Sequence, residues 1–300
     1  MADMSPITNL DFAETKEALK TFLKNQSKFK DFDYEGSNMN VLLDVLSYNT
    51  YYNNYYYNMA ISEMFLDSAT QRNSVLSHAK ELNYLPTSRR SSVIKATITV
   101  VAPGLDSNYF SIPANKAFIG RCGNKTYNLL TDKSYNAVRS TTDDTLYTVT
   151  DVDLYEGRMI NETLSTTDTV LSNAGIDTRS LTLTVNGEIY TYRADIFGVL
   201  SNDKVFYLQP ENDGKYSVQF GRNKFGLEPT VTDSIIANYR VTNGPSANGI
   251  GSLTIGNFGG ASSINVTITS LSSGGSLAED IESIRTFAPK ALQVQERAVT

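Results

Sequence analysis

The sequence predicts an α+β chain: an N-terminal long-helix bundle segment, two mainly antiparallel β subdomains, and the start of a C-terminal helical region. Three observations carry this. Apolar residues recur at steps of three and four as far as Leu82 and at steps of two from Val93 onward. No Pro or Gly interrupts the chain between Gly36 and Pro86. Asn186-Gly187 sits between two alternating runs and supplies the positive φ angles of a type I′ hairpin turn. The segments read from these signals are 1–86 (helical), 87–175 (β), 176–272 (β) and 273–300 (helical).

Asp11 can cap a first helix whose apolar positions Phe12, Leu19, Phe22 and Leu23 share a face, with Lys16, Lys20 and Lys24 solvated. After Phe29 to Glu35, Gly36 offers a turn and Ser37 or Asn38 a cap for a second helix, expected from Asn38 to Leu66. Ser68 is the expected cap of a third helix carrying Val75, Leu76, Ala79 and Leu82, closed by Tyr84-Leu85-Pro86.

From Val93 the period is two: Ile94, Ala96, Ile98 and Val100 alternate with Lys95, Thr97 and Thr99. Ser111 to Ala114 followed by Ala117 to Ile119 reads as a turn and return strand, and Leu146 to Tyr155 as another strand. Thr163 to Asn173 is the candidate boundary loop. Beyond the Asn-Gly hairpin, Val205 to Gln209 and Tyr216 to Phe220 flank Asp213-Gly214 as a second hairpin. Ser234 to Val241 and Ile264 to Thr269 are further strands, joined through Gly-rich loops. Ser276 and Glu279 have capping-box spacing ahead of Ile281 and Ile284, and Pro289 is expected to stop that helix.

Three hundred residues allow two modest domains. With Lys+Arg 26 against Asp+Glu 32 the net charge is -6, which argues against a dedicated nucleic-acid binder. No apolar run approaches the roughly 18 residues of a membrane span. Met1 to Leu10 lacks the basic region and apolar core of a secretory signal. A single cysteine, Cys122, and a single histidine, His78, leave little for thiolate, imidazole or metal chemistry.

The chemical motifs read as structure. Asp151-x-Asp153 with Glu156 and Gly157 lacks the third ligand position of an EF-hand loop and reads as a solvated strand face. Gly249-Ile-Gly251 lacks the third glycine of a dinucleotide fingerprint. His78, three residues before Glu81, has no nucleophile beside it, and no paired carboxylates stand out. The expectation is a protein that is not an enzyme and binds no cofactor or metal.

The second helix carries the functional clue. Val41, Val45, Tyr48, Tyr52, Tyr55, Met59, Ser62 and Leu66 step alternately by four and three, the spacing of a coiled-coil or bundle seam broken only by Ser62. Leu42, Leu46, Tyr56, Ala60 and Phe65 widen it. A three-helix segment is small for so much apolar surface, and uncovered patches of a few hundred Å² mark partner surfaces. The expected partner interface is Val41, Val45, Tyr48, Tyr52, Tyr55, Tyr56, Met59 and Leu66. The plainer alternatives are the core of a self-contained three-helix domain and a Tyr/Asn low-complexity tract.

Several segments together resemble one family. Tyr34-Glu-Gly-Ser-Asn-Met-Asn-Val-Leu-Leu-Asp-Val-Leu-Ser-Tyr-Asn-Thr50, Glu63-Met-Phe-Leu-Asp-Ser-Ala69, Arg72-Asn-Ser-Val75 and Tyr84-Leu-Pro86 are similar to the opening of the baseplate wedge proteins of T4-like contractile-tailed phages, within the wider baseplate J-like group. Ser111-Ile-Pro-Ala114 with Phe118 resembles that group's Ile-Pro-Ala-Gly…Phe turn, Asn115 standing for the Gly. Phe220-Gly221, Gly226, Pro229, Tyr239 and Thr242-Asn-Gly-Pro-Ser-Ala-Asn-Gly249 resemble its central β signature, with Arg222 and Lys224 departing from the usual Asp and Gly. Glu279-Asp-Ile-Glu-Ser-Ile-Arg285, Ala288-Pro289 and Arg297-Ala-Val-Thr300 resemble its later helix and a motif that continues into more chain.

The resemblance implies a structural virion protein of the tail baseplate, assembled in the host cytoplasm. Its implied partners are a second copy of itself, other wedge proteins, and sheath-initiating and hub-proximal tail proteins, with no nucleic acid and no membrane. It implies that the N-terminal helices join a shared bundle, that wedges close around the hub, and that host contact releases sheath contraction. The competing expectation is a carbohydrate- or receptor-binding β module on a helical stalk.

Overall fold

A computed structural model describes residues 11–26 and 32–295, the side chains of 292–295 excepted. The Met1 to Leu10 segment, Phe29 and the Arg297-to-Thr300 motif lie outside the described residues. The fold is α+β, and contacts divide the chain into two compact units: Met1–Tyr84 with Ile281–Thr300, and Leu85–Asp280.

In the helical unit, α1 (Phe12–Lys24) starts where expected: Asp11 accepts from the N–H groups of Ala13 at 2.7 Å and Glu14 at 3.2 Å. Lys16 and Lys20 are not free in solvent. Lys16 pairs with Asp44 at 2.5 Å, because α1 lies along a polar flank of the next helix, and Lys20 pairs with Asp33 of the turn before that helix at 3.3 Å. Phe22, assigned to the apolar face, stays exposed.

Helix α2 (Asn38–Glu63) is capped by Ser37, whose hydroxyl accepts from the Asn40 N–H at 3.1 Å. At about 1.5 Å per residue it is about 39 Å long. It ends three residues before the expected Leu66, because Ser68 turns back and donates to the Ser62 carbonyl at 2.6 Å. Ser68 therefore closes α2 and does not cap α3 (Arg72–Glu81). That capping role falls to Glu63, whose carboxylate accepts from the Thr70 N–H at 2.8 Å, the Thr70 hydroxyl at 2.7 Å and the Gln71 N–H at 3.2 Å.

Helix α4 (Ile281–Gln295) supplies Ile284 and Ala288 to one small core with Ala69, Val75, Leu76 and Ala79. Two expectations fail here. The helix passes through Pro289, whose missing N–H removes one helical bond that burial of Ile284 and Ala288 offsets. Ser276 and Glu279 form no capping box: Ser276 pairs with Arg90 as an isolated bridge, and Glu279 exchanges hydrogen bonds with the Thr87 N–H and carbonyl.

The second unit holds two sheets. Its strands are β1 (Val93–Val101), β2 (Tyr109–Ile112), β3 (Ala117–Cys122), β4 (Lys125–Thr131), β5 (Tyr135–Arg139), β6 (Leu146–Glu156), β7 (Arg158–Leu164), β8 (Ile176–Val185), β9 (Glu188–Tyr192), β10 (Val205–Pro210), β11 (Tyr216–Gln219), β12 (Ile235–Val241), β13 (Ser252–Thr254) and β14 (Ser263–Ser273). The eight-stranded sheet runs β13-β3-β4-β6-β1-β14, with β5 pairing both β6 and β2. The six-stranded sheet runs β11-β10-β9-β8-β12-β7, antiparallel except where β10 lies parallel to β9.

Alternation decides the cores. The buried Ile94, Ala96, Ile98 and Val100 of β1 face Phe110, Phe118, Leu129 and Tyr147, while Leu183, Phe206, Ile235, Ala237 and Tyr239 centre the other core. The Asn186-Gly187 hairpin forms with φ of 52° and 84°, and Asp213-Gly214 turns between β10 and β11. Asn115 takes φ 58°, a conformation asparagine tolerates in place of glycine.

The turn after Ile112 does not lead to a return strand, because β2 pairs with β5 while β3 pairs with β4 and β13. The chain passes between the sheets at Gly157, earlier than the expected 175/176 point, and β13 and β14 later return to the first sheet. Gly157 has φ +135°, and a Cβ there would meet the Val241 carbonyl at 2.6 Å.

Candidate partner interface

The expected interface residues separate into two groups. At about 100° per residue, Val41, Val45, Tyr48, Tyr52, Tyr55, Tyr56 and Met59 span an arc of about 100° on α2. All are exposed, from 36% for Met59 to 61% for Val45. Leu42 and Leu46 extend the stripe along one flank. Leu66 lies beyond the helix end and packs against the small core of Ala69, Val75 and Leu76.

The tyrosines order one another. Tyr48 and Tyr52 meet edge to face with ring centres 4.7 Å apart and share a hydroxyl hydrogen bond of 2.9 Å. Tyr52 also approaches Tyr51 and Tyr56, and Tyr56 meets Tyr55 at 5.8 Å. The bond from Tyr48, aided by its charge and by slight burial, raises the Tyr52 phenol above the ordinary tyrosine value. Rings from successive turns thus touch along the helix and present one continuous aromatic surface.

The other side of α2 was not recognised in the sequence and is the more informative. Its buried residues are Asn40, Leu43 and Ser47, flanked by half-buried Asp44, Thr50, Asn54 and Asn58 and, among apolar residues, by Tyr51 and Ile61. The helix turns a largely polar face toward its own chain and its apolar face outward, the reverse of an amphipathic surface helix. Asn40 Oδ1 and Ser47 Oγ are buried without a hydrogen-bond partner among the described residues. The signal was present as polar residues at steps of three and four.

The turn after α2 is rigidly built. Burial opposes the charge on Glu63, yet hydrogen bonds from the Thr70 and Ser74 hydroxyls and the Thr70 and Gln71 N–H groups hold its carboxyl down to about 2. Arg285 donates to the Leu66 carbonyl at 3.0 Å and to the Ala69 carbonyl, and pairs with Glu282 at 2.7 Å. His78 places Nε2 3.0 Å from the Glu63 carbonyl, a structural contact.

The weaker motifs do not assemble into a site. Asp151 occupies a positive-φ position, Asp153 pairs with Lys95 at 3.6 Å, and Glu156 is buried against Thr242 and Asn243. Cys122 lies 3.6 Å from the Asn248 carbonyl. Among the described residues no group of three His, Cys, Asp or Glu side chains could hold a metal ion, and no helix is long and apolar enough to cross a membrane.

Comparison with known proteins bears on the same helix. Residues 11–84 match the family described as baseplate wedge protein gp6-like, helical domain. The chain is 28% identical over 324 aligned residues to baseplate wedge protein gp6 of Enterobacteria phage T4, covering 96% of this chain and 48% of that protein. It therefore spans about half the length of the curated relative it matches. A chain of the six-fold symmetrised cryo-EM structure of the anti-feeding prophage baseplate aligns over 96% of this chain and 53% of its own length, with 13% identity and a TM-score of 0.35. The resemblance to baseplate wedge proteins read from the motifs stands.

Proposed function

We propose that this chain is a structural component of a phage-tail baseplate wedge, located in the virion after assembly in the host cytoplasm. The observation that carries the proposal is the inverted helix α2: seven of its apolar residues point outward over a polar inner face. A helix in water gains stability by burying its apolar stripe, so this arrangement supports completion of α2 by other helices. The relative's name, baseplate wedge protein gp6, supports the same assembly.

In this reading α2 packs with α2 of a second copy and with a helix of another wedge protein, and Val41, Val45, Tyr48, Tyr52, Tyr55, Tyr56 and Met59 become buried. Leu66 contributes indirectly by anchoring the end of α2 to its own unit. Further contacts reach the sheath-initiating and hub-proximal tail proteins, and the assembled wedge couples host contact to sheath contraction. The role is mechanical, not enzymatic. Native mass spectrometry of the chain alone and co-expressed with its neighbouring wedge proteins tests it: a hetero-oligomer holding two copies is expected. A persistent monomer under co-expression overturns the proposal.

A further inference from the structure

The β unit contains a cleft of about 680 Å³ on the outer face of the six-stranded sheet. Its floor is the row Asn161, Asn238 and Thr182 and the neighbouring row Met159 and Arg240, on adjacent β7, β12 and β8. Asn115, Asp132 and Tyr155 of the eight-stranded sheet's strands and turns line it as well.

Arg240 is the anomaly in this cleft. It is only 6% exposed, yet its guanidinium makes no hydrogen bond and no ion pair among the described residues. Its placement is nonetheless fixed. The side-chain stem packs on Gly157, the guanidinium lies 4.7 Å from the Tyr155 ring centre, and its backbone N–H donates to Ser180 Oγ at 2.8 Å. The carboxylates of the lining are already engaged: Asp177 accepts two bonds from Arg179, at 3.0 and 2.9 Å, and one from the Ser91 N–H at 3.0 Å. Asp132 accepts from the Tyr135 hydroxyl at 2.6 Å. A buried Nε–H without a partner is costly, and a guanidinium fixed in place with no protein acceptor suits an incoming one.

We propose that this cleft receives the carboxylate of an acidic side chain from a partner polypeptide, with Arg240 as its cationic anchor. Three features select that ligand. Asp177 is paired with Arg179, which leaves Arg240 as the cation of the lining without an ionic partner among the described residues, and with Asp132 close by a monoanion is repelled less than a phosphate dianion. The fork of the guanidinium suits a carboxylate. The aromatic lining is Tyr155, one face of which the guanidinium covers, which leaves less ring surface for a sugar to stack on. The proposal rests on the β unit and is independent of the α2 interface.

The test is a titration of the full chain followed through arginine Nε–H resonances in ¹⁵N NMR. Probes are N-acetyl-glutamate amide, its glutamine counterpart, galacturonate and inorganic phosphate. The expected result is a saturable shift of the Arg240 signal with the glutamate probe, at least about tenfold weaker binding of the glutamine probe, and loss of binding in Arg240→Gln. Arg240→Lys should retain partial binding, which separates loss of charge from loss of fold. Absence of a saturable shift, or unchanged binding in Arg240→Gln, overturns the site. Tighter binding of galacturonate or phosphate than of the glutamate probe overturns the polypeptide assignment.

Discussion

Replacing Val45 and Tyr52 together by Asp is the most direct perturbation of the α2 interface. A fully buried valine contributes about 1.5–3 kcal/mol, so covering the 61% of Val45 left exposed is worth about 1–2 kcal/mol. Tyr52 is 39% exposed; of roughly 200 Å² this leaves about 80 Å², or about 2 kcal/mol at ~25 cal/mol per Å². The variant forfeits about 3–4 kcal/mol of burial per chain, and each carboxylate closed into a dry seam costs several kcal/mol more. At ~1.4 kcal/mol per tenfold, affinity should fall by at least about 10⁴. In the isolated chain Val45 faces water, whereas Tyr52→Asp gives up the hydroxyl bond to Tyr48 and contacts with three rings, so the chain's own stability should fall by about 1–2 kcal/mol, far less than the loss in affinity. Native mass spectrometry and size-exclusion chromatography of co-expressed proteins read the first effect, and thermal unfolding by circular dichroism the second. An oligomer whose affinity stays within tenfold, with the chain folded, refutes the assignment of α2 as the interface.

Two further substitutions probe the supports. In Glu63→Gln the turn between α2 and α3 loses a charged acceptor for Thr70 and Gln71. The folded carboxyl sits near 2 against an unfolded value near 4.5, so its contribution is present above pH 4.5 and lost as pH falls toward 2. The variant should flatten the pH dependence of helical-unit melting across that window, measured by ellipticity at 222 nm. Glu156→Ala strands the Thr242 hydroxyl and the Asn243 N–H and side-chain amide, all of which bond the buried carboxylate. It should destabilise the β unit by about 3–5 kcal/mol in urea unfolding, and a loss under 1 kcal/mol would show that Glu156 is not a keystone.

Local chemistry made much of the fold legible. Asp11 and Ser37 cap their helices because a short acceptor precedes an uninterrupted helical pattern, and Asn186-Gly187 leaves little choice of turn. Errors arose where distant partners took over a local signal. Ser276 and Glu279 have capping-box spacing, but Arg90 and Thr87 occupy their hydrogen bonds. Ser68 resembles an N-cap until Glu63, five residues earlier, captures the donors of Thr70 and Gln71. Of the proposed interface, the exposed stripe from Val41 to Met59 follows from the spacing, whereas at Leu66 the seam continues in the sequence past the point where Ser68 ends the helix. Arg240 left no sequence signal, since an arginine in an alternating strand is ordinarily solvated.

The polar inner face of α2 has a thermodynamic consequence. Within the isolated chain this helix buries Leu43 but also Asn40 and Ser47, whose side-chain oxygens lack partners among the described residues, so packing on its own unit contributes little. Helices of this length in water draw most of their stability from an apolar face, and that of α2 is uncovered. Assembly should therefore stabilise α2 selectively: a partner present at about 100 times its Kd adds about 2.7 kcal/mol to the bound state. Hydrogen-exchange mass spectrometry reads this by segment. Amides of Val41 to Met59 should exchange roughly 100-fold faster than those of β1 and β6 in the isolated chain and slow by about that factor in the complex, with β1 and β6 unchanged. If α2 is already as protected as β1 and β6 before any partner is added, the helix is complete on its own, and its outward apolar stripe does not require a partner to stabilise it.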